Sequence, residues 1–184
     1  METLHIRSTD GNVLFSHTMT NNTMRRTIIR AVMCKVNLAD ADLGGLDLSD
    51  LCFNEMNLSG TSFRYSDIQY SSFDHANLTG TDFSFARLGG AALPYAKLGG
   101  AKWKGATYFE AKISKGLVFL EGYYWDVYLM DDHIKIGCKM HTIEEWEKFT
   151  NGQIRRMDTS ASEFWRKNKA SIIAAARKHQ QQSE

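Results

Sequence analysis

Large apolar residues recur at every fifth position over much of the chain: Met33, Leu38, Leu43, Leu48, Phe53, Leu58, Phe63, Ile68, Phe73, Leu78, Phe83, Leu88, Leu93, Leu98, Trp103, Tyr108 and Ile113. A period of five matches neither the 3.6 of a helix nor the 2 of a flat strand. Held this long, it is the mark of a repeat architecture. Within the quintets of residues 31–115 the apolar residue is third. The first place is mostly small, and the second is often Asp or Asn as far as Asp82.

If each quintet forms one side of a square coil, equivalent places return every twenty residues, and the columns agree with that. Leu38, Leu58, Leu78 and Leu98 share one column, while Phe53 lies under Phe73 and Phe63 under Phe83. Coils about 4.8 Å apart, like neighbouring strands, let these side chains stack into a dry axis. Small first-place residues such as Ala76, Ala86, Ala91, Ala96 and Ala101 let the corners close. The pairs Gly44-Gly45, Gly89-Gly90 and Gly99-Gly100 supply the positive φ that sharp corners require. Asn37, Asn57 and Asn77 fall in one outward column, as a hydrogen-bonded amide ladder would.

The flanks follow other periods. Runs at Leu4–Arg7 and Val13–Ser16 around Asp10-Gly11 predict a β-hairpin. Met24, Ile28, Ile29 and Val32 are spaced for a helix, with Asn22 or Thr23 as N-cap. An open first coil would expose core and unpaired backbone, so hairpin and helix are expected to cover it. Large first-place residues Leu46, Leu51 and Met56 sit near that end. Past Lys115 the fives dissolve. The pattern there predicts strands near Tyr123–Leu129 and His133–Ile136 with a turn at Met130–Asp132. Three helical segments should follow, two of them opened by capping boxes at Thr142/Glu145 and Ser160/Glu163, before a frayed tail, QQQSE.

The quintets ADLGG (41–45) and ANLTG (76–80) closely resemble the A(D/N)LXX motif of the pentapeptide-repeat family. That resemblance implies a mainly β fold, a right-handed quadrilateral β-helix, here with an N-terminal hairpin-helix cap (1–30), a repeat domain (31–120) and a C-terminal α+β appendage (121–184). Some members of that family inhibit DNA gyrase by resembling duplex DNA in width and charge. The tail, with WDVYLMDDHIKIGCKMHTIEEWEKF, IRRMD and FWRKNKASI, resembles a module appended to such proteins in phages and prophages. This second resemblance implies a phage product acting in the bacterial cytoplasm.

Charge changes the picture more than composition does. Lys and Arg total 22 against 21 Asp and Glu, which argues against a generally basic nucleic-acid binder. The balance hides a split, because residues 36–85 hold eight acids against Arg64 alone, and residues 86–120 hold six bases against Glu110 alone. No run approaches the roughly 20 apolar residues that span a bilayer, and the pattern of the first residues leads us to expect no signal peptide. Three widely spaced cysteines, Cys34, Cys52 and Cys138, read as reduced thiols.

Candidate surfaces follow from the columns. An acidic face of Asp42, Asp47, Glu55, Asp67, Asp74 and Asp82 would stand in for DNA phosphates and engage a bacterial nucleic-acid-handling enzyme, such as gyrase, or a defence complex. An aromatic corner of Tyr65, Tyr70, His75, Phe85 and Tyr95 would grip a protein partner, making the chain an adaptor, or would seat its own C-terminal segment. A basic patch of Arg87, Lys97, Lys102, Lys104, Lys112 and Lys115 is the third surface, for direct nucleic-acid contact; Trp103 holds a core place, out of reach of bases. Acidic and basic halves of two copies would also pair into a homodimer. His133, Cys138 and His141 are weak metal candidates: Cys-x-x-His can place two ligands on one ion and a hairpin partner a third, short of the four of structural zinc, so a buried Cys and a helix-capping His are expected instead. No phosphate loop is present, and a filled coil offers no cleft, so neither catalysis nor a cofactor is expected.

Overall fold

A computed structural model describes residues 1–181. Packing divides the chain into two units, Met1–Glu110 and Ala111–Glu184.

The first unit opens with an antiparallel hairpin of β1 (Glu2–Arg7) and β2 (Val13–Met19), turning at Asp10 and Gly11. Helix α1 (Met24–Met33) follows, and its N-cap is Thr23, whose Oγ1 accepts the Arg26 N–H at 3.2 Å. Asn22 is instead a buried hub: its amide donates to the His17 carbonyl at 2.7 Å, and its Oδ1 accepts the Thr27 hydroxyl at 3.2 Å. Met33, expected as the first residue of the shaft, is 70% exposed at the end of α1. Ile28 and Ala31 set the buried face of the helix, and the 3.6-residue turn rotates Met33 away from it. The shaft therefore starts at Leu38. The hairpin is bonded to the coil that follows, through Thr9 N–H to Asp40 O and Asp42 N–H to Arg7 O, both 2.8 Å.

From Leu38 onward the backbone forms a β-helix with a twenty-residue turn. Parallel bridges join Asp42 to Ser62, Asp47 to Asp67, Cys52 to Ser72 and Asn57 to Asn77, and continue to Arg87 and Thr107. Third-place amides donate to the carbonyl nineteen residues ahead, as in Leu43 to Ser62 (2.9 Å) and Phe53 to Ser72 (2.7 Å). Each turn thus has four sides. Wall 1 holds 41–45, 61–65, 81–85 and 101–105. Wall 2 holds 46–50, 66–70 and 86–90, wall 3 holds 51–55, 71–75 and 91–95, and wall 4 holds 36–40, 56–60, 76–80 and 96–100.

Third-place side chains from Leu38 to Leu93 fill the axis and are buried; Leu98 is half-buried. Phe53 stacks on Phe73 with centroids 5.1 Å apart, Phe63 on Phe83 at 5.6 Å, and Phe83 on Trp103 at 4.7 Å. Burying each such side chain is worth about 1.5–3 kcal/mol, which explains why the third place never turns polar. First-place hydroxyls are buried too, and each finds an acceptor twenty-three residues back. Thr61 donates to Leu38 O, Ser66 to Leu43 O, Ser71 to Leu48 O and Thr81 to Leu58 O, at 2.7–2.9 Å.

The corners lie in the fifth place, where φ is positive whatever the residue: Asp40 58°, Glu55 62°, Tyr65 60°, Phe85 61°, Tyr95 55°. Of each expected glycine pair only the second member, Gly45, Gly90 or Gly100, takes this conformation. A side chain there costs on the order of 1 kcal/mol, so non-glycine corners need compensating contacts. In the quintet 106–110 the positive φ moves to Phe109 (52°), one place early. The five-residue register breaks there, just before the first unit ends. Strand β3 (Thr107–Tyr108) belongs to this last quintet.

The second unit begins with β4 (Ala111–Lys112) and contains a four-stranded antiparallel sheet, in the order β5 (Val118–Leu120), β6 (Val127–Leu129), β7 (His133–Ile136), β8 (Lys139–Thr142). The predicted strand near Tyr123–Leu129 is shorter, starting at Val127. Helices α2 (Ile143–Lys148), α3 (Asn151–Met157) and α4 (Ala161–Gln180) follow. Val127, Leu129, Ile134 and Ile136 from the sheet share a core with Trp146, Ile154, Trp165 and Ile172 from the helices. Thr142 and Glu145 form the expected capping box. Ser160 does not cap α4: it is helical itself (φ −85°, ψ −12°), and its hydroxyl donates to Asp158 at 2.6 Å. Gln180 ends α4, so the expected fraying does not begin there, and the rest of that prediction (182–184) lies outside the described residues. No helix among the described residues is long and apolar enough to cross a membrane.

Candidate interaction surface

The acidic second-place residues have a local duty. Asp42, Asp47, Asp67 and Asp82 each accept, through Oδ1, the backbone N–H two residues on, from Gly44, Ser49, Gln69 and Ser84 at 2.9–3.2 Å. Asn37, Asn57 and Asn77 do the same for Ala39, Ser59 and Thr79. The second place prefers Asp or Asn because this short turn satisfies a backbone donor the coil leaves open. Asn77 also donates to Asn57 at 3.1 Å, one rung of the amide ladder expected through Asn37, Asn57 and Asn77 on wall 4.

Several carboxylates are also paired with arginines of the first unit. Arg25 reaches Asp47 at 3.4 Å, Arg64 reaches Asp82 at 3.2 Å, and Arg87 reaches Asp67 at 3.1 Å. The Ser49 hydroxyl and amide, with Arg25, hold the Asp47 carboxyl below its usual range. Partial burial pushes the Asp82 carboxyl up, but the Ser84 bonds and Arg64 outweigh it and the net direction is down. The six candidate acids are spread over the coil: Asp42 and Asp82 on wall 1, Asp47 and Asp67 on wall 2, Asp74 on wall 3, and Glu55 at the corner between walls 3 and 4. Asp74 Oδ1 is buried with no hydrogen-bond partner among the described residues, and His75 Nε2 lies 3.8 Å away.

The aromatic candidates are brought together in pairs along the corners. Tyr65 and Phe85 stack at 5.0 Å and 4° on the edge between walls 1 and 2, with the Arg64 guanidinium 5.5 Å from the Tyr65 ring. His75 and Tyr95 stack at 4.9 Å and 14° on the edge between walls 3 and 4. Tyr70, on the edge between walls 2 and 3, meets Phe109 edge to face at 6.0 Å. Tyr65 is 62% exposed, Tyr70 59%, Tyr95 51%, Phe109 43% and Phe85 39%. Tyr70 and Phe85 each lie against a glycine of the next coil: a Cβ on Gly90 would stand 2.4 Å from the Tyr70 ring, and one on Gly105 2.5 Å from Phe85. Wall 3, between the Tyr70 edge and the His75/Tyr95 edge, carries uncharged second-place residues, Cys52, Ser72 and Ala92. Phe109 was missed by sequence reasoning because it stands fourth in its quintet. Its signal is indirect, since Tyr70 and Gly90 mark that column.

The basic candidates are dispersed, and all but the half-buried Lys115 are exposed. Arg87 lies on wall 2, Lys97 on wall 4, and Lys102 and Lys104 on wall 1, while Lys112 and Lys115 belong to the second unit. His133, Cys138 and His141 are not assembled. His133 is opposite Thr142 and His141 opposite Ile134, so the alternation of the sheet sends the two imidazoles to opposite faces. His133 bonds Asp132 at 2.7 Å, and His141 packs edge to face on Trp146 and Phe149. Cys138, expected to be buried, is instead exposed in the turn between them, the helix cap expected of a histidine is made by Thr142, and all three cysteines are free. Among the described residues no group of three His, Cys, Asp or Glu could hold a metal ion.

A family model, Pentapeptide repeats, matches residues 41–80 and 56–93, with eight copies. The chain thus carries a pentapeptide-repeat domain of the β-helix type. Among solved structures it is similar to a pentapeptide repeat protein of the Arabidopsis thaliana thylakoid lumen, with 36% identity over 35% of this chain and 44% of that one (TM-score 0.35). HetL, a pentapeptide repeat protein involved in heterocyst differentiation regulation in the cyanobacterium Nostoc, shares 24% identity over 41% of this chain and 50% of its own (TM-score 0.25). A further Nostoc pentapeptide repeat protein shares 23% over 49% of this chain and 79% of its own (TM-score 0.29). The chain spans half or less of the length of the first two. No curated protein matches it.

Proposed function

We propose that this chain acts without catalysis, as an interaction protein whose coil, closed, right-handed and four-sided, presents wall 3 and its aromatic edges to a protein partner. The observation that carries this is the exposure of paired rings along edges that flank a wall whose second-place residues are uncharged, over an axis filled with side chains. Rings held over glycine or over one another lose little entropy on docking, which favours them as anchors. Pentapeptide-repeat domains often serve as such surfaces.

A second reading is kept by the first coils, where Asp42, Asp47, Asp50 and Glu55 remain exposed on a stretch with a single base. There the carboxylates stand in for phosphates, and the partner is a nucleic-acid-handling enzyme. One experiment separates the two. The full chain is used as bait in bacterial lysate, with and without nuclease, alongside the variants Tyr70→Ala/Tyr95→Ala and Asp42→Lys/Asp47→Lys. Loss of the captured partner with the aromatic variant alone supports the adaptor reading, and loss with the acidic variant alone supports charge mimicry. A capture that vanishes with nuclease in the wild type overturns both and points to direct nucleic-acid contact.

A further inference from the structure

The second unit contains a half-enclosed cavity of about 130 Å³ that the surface reading above does not use. Its lining is dominated by rings. Trp146 and Trp165 lie with centroids 5.0 Å apart, and Trp125 and Phe164 form another pair at 5.0 Å. Trp146 spends its indole N–H on the Ile134 carbonyl at 2.8 Å. Trp165 is 3% exposed, and its indole N–H has no acceptor among the described residues. An indole nitrogen can only donate, and a buried donor without a partner is costly to keep. The lining includes one cation and one anion, the exposed Lys139 and Asp158, so it has no net charge preference. Asp158 is already engaged by the Ser160 amide and hydroxyl at 2.7 and 2.6 Å.

We infer that this cavity is a binding site for a small neutral molecule built on a single ring and carrying an oxygen acceptor, of the phenol or aryl-carbonyl class. The volume sets the size, since an apolar cavity of about 150 Å³ accepts one benzene. The four rings set the flat, apolar character, through offset or edge contacts with the ligand. The unmet Trp165 N–H sets the acceptor. The cancelling charges of Lys139 and Asp158 set neutrality.

The test uses the full chain with two probes of nearly equal size, phenol and toluene, read by tryptophan fluorescence and by the Trp165 indole N–H resonance, assigned from a Trp165→Phe variant. Phenol should bind saturably and shift that resonance, and should bind about threefold to tenfold tighter than toluene, the worth of one hydrogen bond. In Trp165→Phe that preference should collapse. Ala161→Leu, which fills the cavity from its wall, should abolish binding of both probes; Ala161→Val serves if Leu is not tolerated. Equal affinity for the two probes overturns the acceptor assignment. Absence of saturable binding, or unchanged binding in the filled variant, overturns the site.

Discussion

In the stem, the Phe73 ring meets Phe53 one turn below and Phe63 ten residues away on the opposite wall. In the second unit, Trp146 meets Trp165 from another helix and bonds a carbonyl of β7. Both side chains are buried and both contact rings, yet their neighbours are chosen differently. A stem residue finds its partners at fixed chain distances, because the backbone ladder sets a twenty-residue turn. A residue of the second unit finds them only after helices have docked on a sheet. The difference teaches that one part can be altered by column, while the other must be altered by contact.

The largest expected effect breaks or upholds that distinction. Phe73→Ala should cost about 3–5 kcal/mol, the usual loss for emptying an aromatic core position. Phe73→Leu should cost under about 1.5 kcal/mol, because third places elsewhere in the coil hold Leu on the same backbone. Trp146→Leu should be far worse than Phe73→Leu, since it also leaves the Ile134 carbonyl without its donor. Urea denaturation of the three variants decides it. If Phe73→Leu is as damaging as Phe73→Ala, places in the stem are not interchangeable.

That same distinction governs what could be read from the sequence. The shaft residues from Leu38 onward, the aromatic edge pairs and the Asn57–Asn77 rung of the amide ladder were all legible, because each follows from adding twenty. The role of Asp42, Asp47, Asp67 and Asp82 was not. Their charge suggested an outward-facing surface, whereas the turn they close with the amide two residues on appears only when the backbone is in place. Met33 was misassigned where two periods overlap and the helix prevailed. Strands β5 and β8 were missed because three- and four-residue strands carry too little alternation to stand out. The Thr142 cap was visible as a local motif, but the same motif at Ser160 failed because Asp158 holds its hydroxyl. The cavity beside Trp165 is assembled from distant segments and has no signature along the chain.

A smaller effect tests how far the columns reach. Ser71 and Thr81 occupy the same place in different quintets, and each hydroxyl donates to a carbonyl twenty-three residues back. The Leu58 carbonyl that serves Thr81 also accepts the Thr61 N–H at 3.1 Å. The Leu48 carbonyl that serves Ser71 takes no backbone N–H among the described residues; the Leu51 amide turns to the Ser71 hydroxyl itself, at 3.4 Å. Large Leu51 in the first place accompanies this opened corner, and the serine bridges it. Ser71→Ala should therefore cost about 1–3 kcal/mol, the penalty for a buried polar group left unmet. Thr81→Ala should cost less. Equal losses would mean that position in the quintet outweighs the local corner.

The smallest effect belongs to the second unit and depends on pH. Arg177 on α4 reaches Glu147 at 2.7 Å and Glu144 at 2.8 Å on α2. Its hydrogen bonds hold both carboxyls below their usual range, and they in turn raise the pKa of the guanidinium. A carboxyl whose pKa is lower in the folded state stabilises the fold above its unfolded value, about 4.3, and the gain disappears as pH falls through the folded value. All three side chains are about a third to a half exposed, so water and salt weaken the pairing. Arg177→Gln should thus be less stable than the wild type at pH 7, by a margin that shrinks in high salt. The margin should close as the solution is taken below about pH 4 and both carboxylates are neutralised. Melting curves of the two proteins from pH 7 to pH 3 measure it. A margin that stays constant over that range would show that Arg177 acts by packing its aliphatic stem, not by its charge.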